Sequence, residues 1–308
     1  MPFKNACNIL LSRYSITFKL IIYYTLVVAI FLAVAFCILQ PIWGEVWTEI
    51  TNTNFFAHIS DSIDKFLDGD SSYLTAIQEA SQAFVNIKEI LLHNNSKVIW
   101  TIVTLALLSI VAVYVINLSN LSYSDIINHF MNSNSRYGFA SNFIANLKQS
   151  ALYSLLYMVT KMLVNVLIMA FGAFITYQIT KLTNVILALN VSLIVSLVLF
   201  TLSAFLFGGW VPAIVVDRIP VHKALAAGIH TLKKLPISCL MSFFMVHFIG
   251  FIAMAAATVF TLGFGFFIVY PAVIMLVKTT ELVLYYSAKG YNYYVADGKV
   301  VDKPVANG

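Results

Sequence analysis

Six mostly apolar stretches, each about as long as a bilayer core is thick, recur along this chain of 308 residues. They cover residues 20–40, 98–118, 152–177, 183–207, 237–260 and 262–286. A helix needs about 20 such residues to cross the hydrocarbon core. The links near Thr180 and Lys181, and at residues 261–263, are short enough to predict two helical hairpins. Charge supports the same class. Only 10% of residues are charged and 60% are hydrophobic, against about 25% charged in a soluble domain. A lipid-facing exterior tolerates that balance. The expected fold is therefore all-α and membrane-embedded, with amphipathic interfacial helices and a small external helical segment.

Orientation follows from lysine and arginine near the ends of the spans. The N-terminal segment holds Lys4, Arg13 and Lys19 and no acid. It resembles a signal-peptide charge cluster, but the apolar run continues through Phe36, Cys37, Ile38 and Leu39, which predicts an uncleaved anchor. Residues 41–97 carry eight acids, Glu45, Glu49, Asp61, Asp64, Asp68, Asp70, Glu79 and Glu89, against Lys65, Lys88 and Lys97. The loop after the fourth span holds Arg218, Lys223, Lys233 and Lys234, and the tail over 287–308 holds Lys289, Lys299 and Lys303. With six spans the basic loops share one side and the acidic segment takes the other. The expectation is a multi-pass protein of a bacterial plasma membrane with both termini cytoplasmic. Trp43, Trp47, Trp100 and Trp210 all fall at predicted span ends, where amphipathic rings favour the interface.

Three segments do not span. In the external insertion, Phe55, Phe56, Ile59, Ile63, Phe66 and Leu67 repeat at helical spacing, as do Leu74, Ile77, Phe84, Ile87 and Leu91. Asp68, Gly69 and Asp70 between them predict a turn, and Ser71 and Ser72 a helix start. These aspartates lack the ligand spacing of a calcium loop. In the 119–150 segment, Phe139, Phe143, Ile144 and Leu147 share a face, and residues 132–135 read as a flexible link. No three-plus-three duplication of the transporter type is visible.

The third segment, over 208–236, is an amphipathic connector. At about 100° per residue, Val221, Ala224, Leu225, Gly228, Ile229, Leu232 and Leu235 share one arc, and His222, Lys223, His230, Lys233 and Lys234 the opposite one. A basic amphipathic helix beside a span is expected to lie in the headgroup plane. Arg218, Lys223, Lys233 and Lys234 are accordingly the candidate lipid-headgroup contacts. Here the chain also resembles a family. Pro212, then Val215, Val216, Asp217 and Arg218, then Ala224 and Leu225 opening a basic helix, look like a pattern in six-helix bacterial proteins. Examples are the membrane domain attached to some glycerophosphodiester phosphodiesterases and related stand-alone proteins. The resemblance covers about 30 residues and implies an all-helical membrane bundle, without implying a reaction. The catalytic barrel of some relatives has no counterpart in this sequence, and the long insertion after the first span is a departure from the pattern.

Ionisable groups inside the spans are the default functional candidates. Lys161, His247, Lys278 and Glu281 form the candidate intramembrane polar cluster. Lys278 and Glu281 are three apart and can pair along a helix face. Lys161 can join them or snorkel, and Asn165 and Asn190 can bridge helices. No catalytic, cofactor-binding or metal-ligating set is recognisable, and no nucleic-acid patch occurs. Cys7, Cys37 and Cys239 are too far apart for a metal or disulfide pattern. Gly250, Ala253, Ala257, Thr261 and Gly265 form a small-residue stripe suited to close helix packing. The expected function is non-enzymatic binding of membrane lipids, of a protein partner or of a second copy, through the interfacial and external helices. A small-solute or proton-coupled transporter, and an intramembrane enzyme without a recognisable motif, are the alternatives.

Overall fold

In hydrocarbon a backbone must satisfy its own N–H and C=O groups, so apolar stretches of this length fold as helices. The protein, seen in a computed structural model, is described at residues 2–135, 137–182, 185–261, 263 and 265–301, the side chains at 45, 182, 185, 186, 188 and 189 excepted. In chain order its helices are α1 (Pro2–Ser12), α2 (Tyr14–Thr51), α3 (Phe55–Leu67), α4 (Tyr73–His93), α5 (Asn95–Asn117), α6 (Ser119–Ser133), α7 (Phe139–Leu182), α8 (Val185–Phe207), α9 (Trp210–Val215), α10 (Val221–Leu232), α11 (Pro236–Phe260) and α12 (Phe266–Lys289). A short hairpin follows, β1 (Tyr293–Ala296) and β2 (Lys299–Val301). Six of these helices are long and apolar enough to cross a membrane. The chain is an all-α polytopic membrane protein. The link expected at residues 261–263 includes Leu262, which lies outside the described residues, as does Lys303 of the tail.

The chain divides into two compact units, Met1–Val27 with Val113–Gly308, and Val28–Ala112. Helices α2 and α5 contribute residues to both. In the Val28–Ala112 unit, the expected turn is present: Gly69 has φ of 73°, and the Asp70 carboxylate accepts from the Ser72 N–H (2.9 Å) and hydroxyl (2.7 Å). Those bonds hold the Asp70 carboxyl below its ordinary range. α3 and α4 pack through Phe55 on Phe84, with ring centroids 6.1 Å apart, and Phe66 on Tyr73, at 5.5 Å. The coverage is partial, because Phe56, Ile63, Phe66, Leu67 and Leu74 remain exposed. Trp43 Nε1 donates to Thr101 Oγ1 at 2.5 Å and ties α2 to α5.

The core of the other unit is built from an unexpected helix. α6 is weakly apolar, yet 12 of its 15 residues are buried. It ends at Asn134, whose φ of 52° turns the chain as the residues 132–135 break requires. α9 is buried at every position, and so is the stretch of α12 from Lys278 to Tyr286. These three elements lie at the centre, and α1, α7, α8, α10, α11, the start of α2 and β1 contribute the rest of the core. α7 is much longer than its predicted 152–177 span: its 44 residues rise about 66 Å, twice the roughly 30 Å hydrocarbon core.

Two expectations are corrected. Trp210 is only 2% exposed, so its ring does not sit at a headgroup surface. It packs edge-on against Tyr153 at 5.5 Å, and its Nε1 donates to the Val221 carbonyl at 2.9 Å. The apolar arc of α10 is not free to embed in lipid either. Val221, Ala224 and Leu232 belong to the protein core, and a Cβ added at Gly209 would lie 2.5 Å from the Gly228 backbone. Two glycines thus let the start of α9 and the middle of α10 touch backbone to backbone, while Leu225 and Leu235 pack half-buried against the same core.

Candidate functional site

Burying a polar helix such as α6 requires partners for its side chains. Asp125 is the point where they meet. Its Oδ2 accepts from Asn142 Nδ2 (3.1 Å) and Asn146 Nδ2 (3.3 Å), one helical turn apart on α7. Arg218 Nη2 lies 3.1 Å from Oδ1, with the Asp125 side chain 6% exposed and that of Arg218 56% exposed. His129 Nε2, four residues along α6, stands 3.8 Å away. Arg218 reaches this position from a left-handed backbone, φ 55°, a conformation that costs a non-glycine residue about 1 kcal/mol. Its contact with Asp125 is an ion pair without a hydrogen bond to Oδ1.

The same short stretch between α9 and α10 binds α6 and α12 together. Asn128 Nδ2 donates to the Val215 carbonyl (3.2 Å), and Tyr286 Oη donates to Asn128 Oδ1 (2.7 Å). Tyr285 Oη donates to Asp217 Oδ2 (2.5 Å), and Lys289 Nζ pairs with the same oxygen at 2.8 Å. Deeper in the unit, Tyr123 Oη shares a 2.6 Å hydrogen bond with Thr279 Oγ1. Asp125 and Asp217 are therefore each held through Oδ2 by side chains from other elements, which suits a polar clamp.

Within the spans, Lys278 Nζ donates to both oxygens of Glu281, at 2.8 and 2.9 Å. Lys161 instead donates to Ser203 Oγ on α8 at 2.5 Å and lies over the Phe207 ring. His247 is bonded within its own helix, Nδ1 to the Phe243 carbonyl at 2.7 Å. Only Lys278 and Glu281 of the four candidates bond to each other among the described contacts. Gly250 of the small-residue stripe faces Val273 of α12, where an added Cβ would come within 2.7 Å of that side chain. Among the described residues, no group of three or more His, Cys, Asp or Glu converges as a metal site would require.

On α10 the polar arc is exposed: His222, Lys223 and His230 on the helix, and Lys233 and Lys234 just beyond it, all face outward. Sequence reasoning missed Asp125, Asn128, Asn142, Asn146 and the tyrosines of α12. A signal was present, because Asp125 is the single acid between residues 119 and 150, and Asp125 with His129, like Asn142 with Asn146, shows helical spacing. It also missed the hairpin, although Asp297 and Gly298 between Tyr293–Ala296 and Lys299–Val301 are a strong turn signal. No protein-family model, characterised protein or solved structure matches this chain.

Proposed function

We propose that this is a non-enzymatic membrane protein that binds anionic lipid headgroups on the cytoplasmic leaflet of a bacterial plasma membrane, through Arg218, Lys223, Lys233 and Lys234. The observation that supports this reading is the outward-facing cationic arc of α10, carried on a helix whose apolar arc is locked to the bundle. Packing has no use for three exposed lysines, whereas an anionic surface attracts each by about 1 kcal/mol. The resemblance to six-helix bacterial membrane domains rests on the same stretch, and Asp217 and Arg218 of that pattern hold α12 and α6 there. Favouring binding over transport is the mutual satisfaction of Lys278 and Glu281, which leaves that pair serving the bundle.

The test replaces Lys223, Lys233 and Lys234 together by Gln and leaves Arg218, which pairs with Asp125. The affinity of the full chain, held in detergent, for anionic phospholipid at this helix should weaken by up to about a hundredfold, and added salt should shrink the difference. Wild-type binding by the triple variant would refute the assignment.

A further inference from the structure

A second, independent feature lies where the chain enters the first span. α1 ends at Ser12 and α2 begins at Tyr14, so Arg13 sits alone at the junction. A cavity of about 320 Å³ opens beside it, bounded by Ser12, Arg13, Ser15 and Lys19 on one side and Ser135 and Tyr137 on the other. Among the described residues, none that lines this cavity is acidic. Five hydroxyl-bearing residues, Tyr14 included, and two cations therefore surround one space at the mouth of a candidate membrane span, Tyr14–Gly44.

Arg13 is fixed in place. Its side chain is 10% exposed and pairs through Nη2 with Asp297 at 3.1 Å. Nη2 also donates to Asn134 Oδ1 at 3.0 Å, and the guanidinium lies 4.0 Å over the Phe130 ring. Its Nε–H, shielded from solvent, has no acceptor among the described residues. A buried donor on a charged group costs more unpaired than almost any other polar atom. Tyr137 is likewise fixed, stacked on His129 at 4.1 Å. Lys19 is exposed and free to swing over the opening.

We infer that this cavity binds a phosphoryl group, with Arg13 as the fixed anchor, Lys19 as the mobile second cation and the hydroxyls of Ser15 and Tyr137 as further donors, those of Ser12 and Ser135 being bonded to the Asn8 carbonyl and to Ser133. A tetrahedral oxyanion takes several donors at once, and guanidinium presents them in a planar fork that suits it. The first turn of α2 lines the same space and adds the positive end of a helix dipole. The phosphoryl group can belong to a phospholipid, given the position at a span end, or to a soluble phosphorylated molecule. The inference does not depend on α10, whose lysines are absent from this cavity.

The experiment uses the full chain, delipidated in detergent and titrated separately with short-chain phosphatidylglycerol and with inorganic phosphate, with native mass spectrometry counting adducts. One saturable site is expected. Arg13→Gln should weaken it about tenfold and Lys19→Glu by at least as much. Lys19 makes no described core contact, so its variant tests the site even where Arg13→Gln fails to fold. Binding of phosphatidylglycerol alone would assign the site to lipid, and competition by inorganic phosphate to a soluble ligand. The triple Lys→Gln variant of α10 should leave this site intact. Absence of saturable binding, or equal binding by wild type and Lys19→Glu, would overturn the inference.

Discussion

At the scale of single residues, the most demanding arrangement is the pair Lys278 and Glu281, whose side chains are 6% and 5% exposed. Each charge is tolerable there only because the other is present. Replacing Glu281 by Gln strands an ammonium group in the bundle and should cost about 3 kcal/mol of stability. Adding Lys278→Gln should return part of that loss, since two neutral amides can bond to each other. Thermal unfolding in detergent of the two single variants and the double variant gives the coupling directly. Strictly additive losses would show that the two residues do not act as a unit. The spacing of three made this pair legible from the sequence alone. Lys161 was not legible in the same way, because its partner, Ser203, lies on another helix, and no local pattern marks a contact between distant segments.

At the scale of elements, the docking of α10 depends on having no side chain at two positions. A Cβ at Gly228 would run into the Gly209 backbone, and a backbone cannot rotate aside. Gly228→Ala should therefore destabilise the protein by about 1–3 kcal/mol, as overpacking does. Ala226→Gln, on the exposed side of the same helix, should stay within about 0.5 kcal/mol of wild type. Equal melting of the two variants would mean that the helix is not held there. The periodicity of residues 221–235 revealed which arc is apolar. It did not reveal what that arc meets, because lipid and protein interior make the same demand on a helix face. The burial of α6 was not legible for the complementary reason: Asp125 and Asn128 find their partners on other elements, and composition alone gives no sign of such contacts.

At the scale of the whole molecule, span number was plain from hydropathy, and sidedness rests on the distribution of lysine and arginine. In a cysteine-free background, Asp70→Cys should react with an impermeant thiol reagent in intact cells, and Lys299→Cys only after permeabilisation. Labelling of position 299 from outside would reverse the orientation. Individual boundaries were less legible, most of all for α7, because before residue 152 its apolar residues, Phe139, Phe143, Ile144 and Leu147, occupy one face only and do not read as a span. That length has a mechanical meaning. α7 contains no proline, and its single glycine is Gly172, so from Phe139 onward it is a stiff rod for most of its course. Asn142 and Asn146 clamp it near one tip through Asp125. Farther along, Lys161 and Thr176 bond to Ser203 and Ser192 of α8, so a tilt of about 10° about that tip would carry α8 with it and displace the far end by about 10 Å.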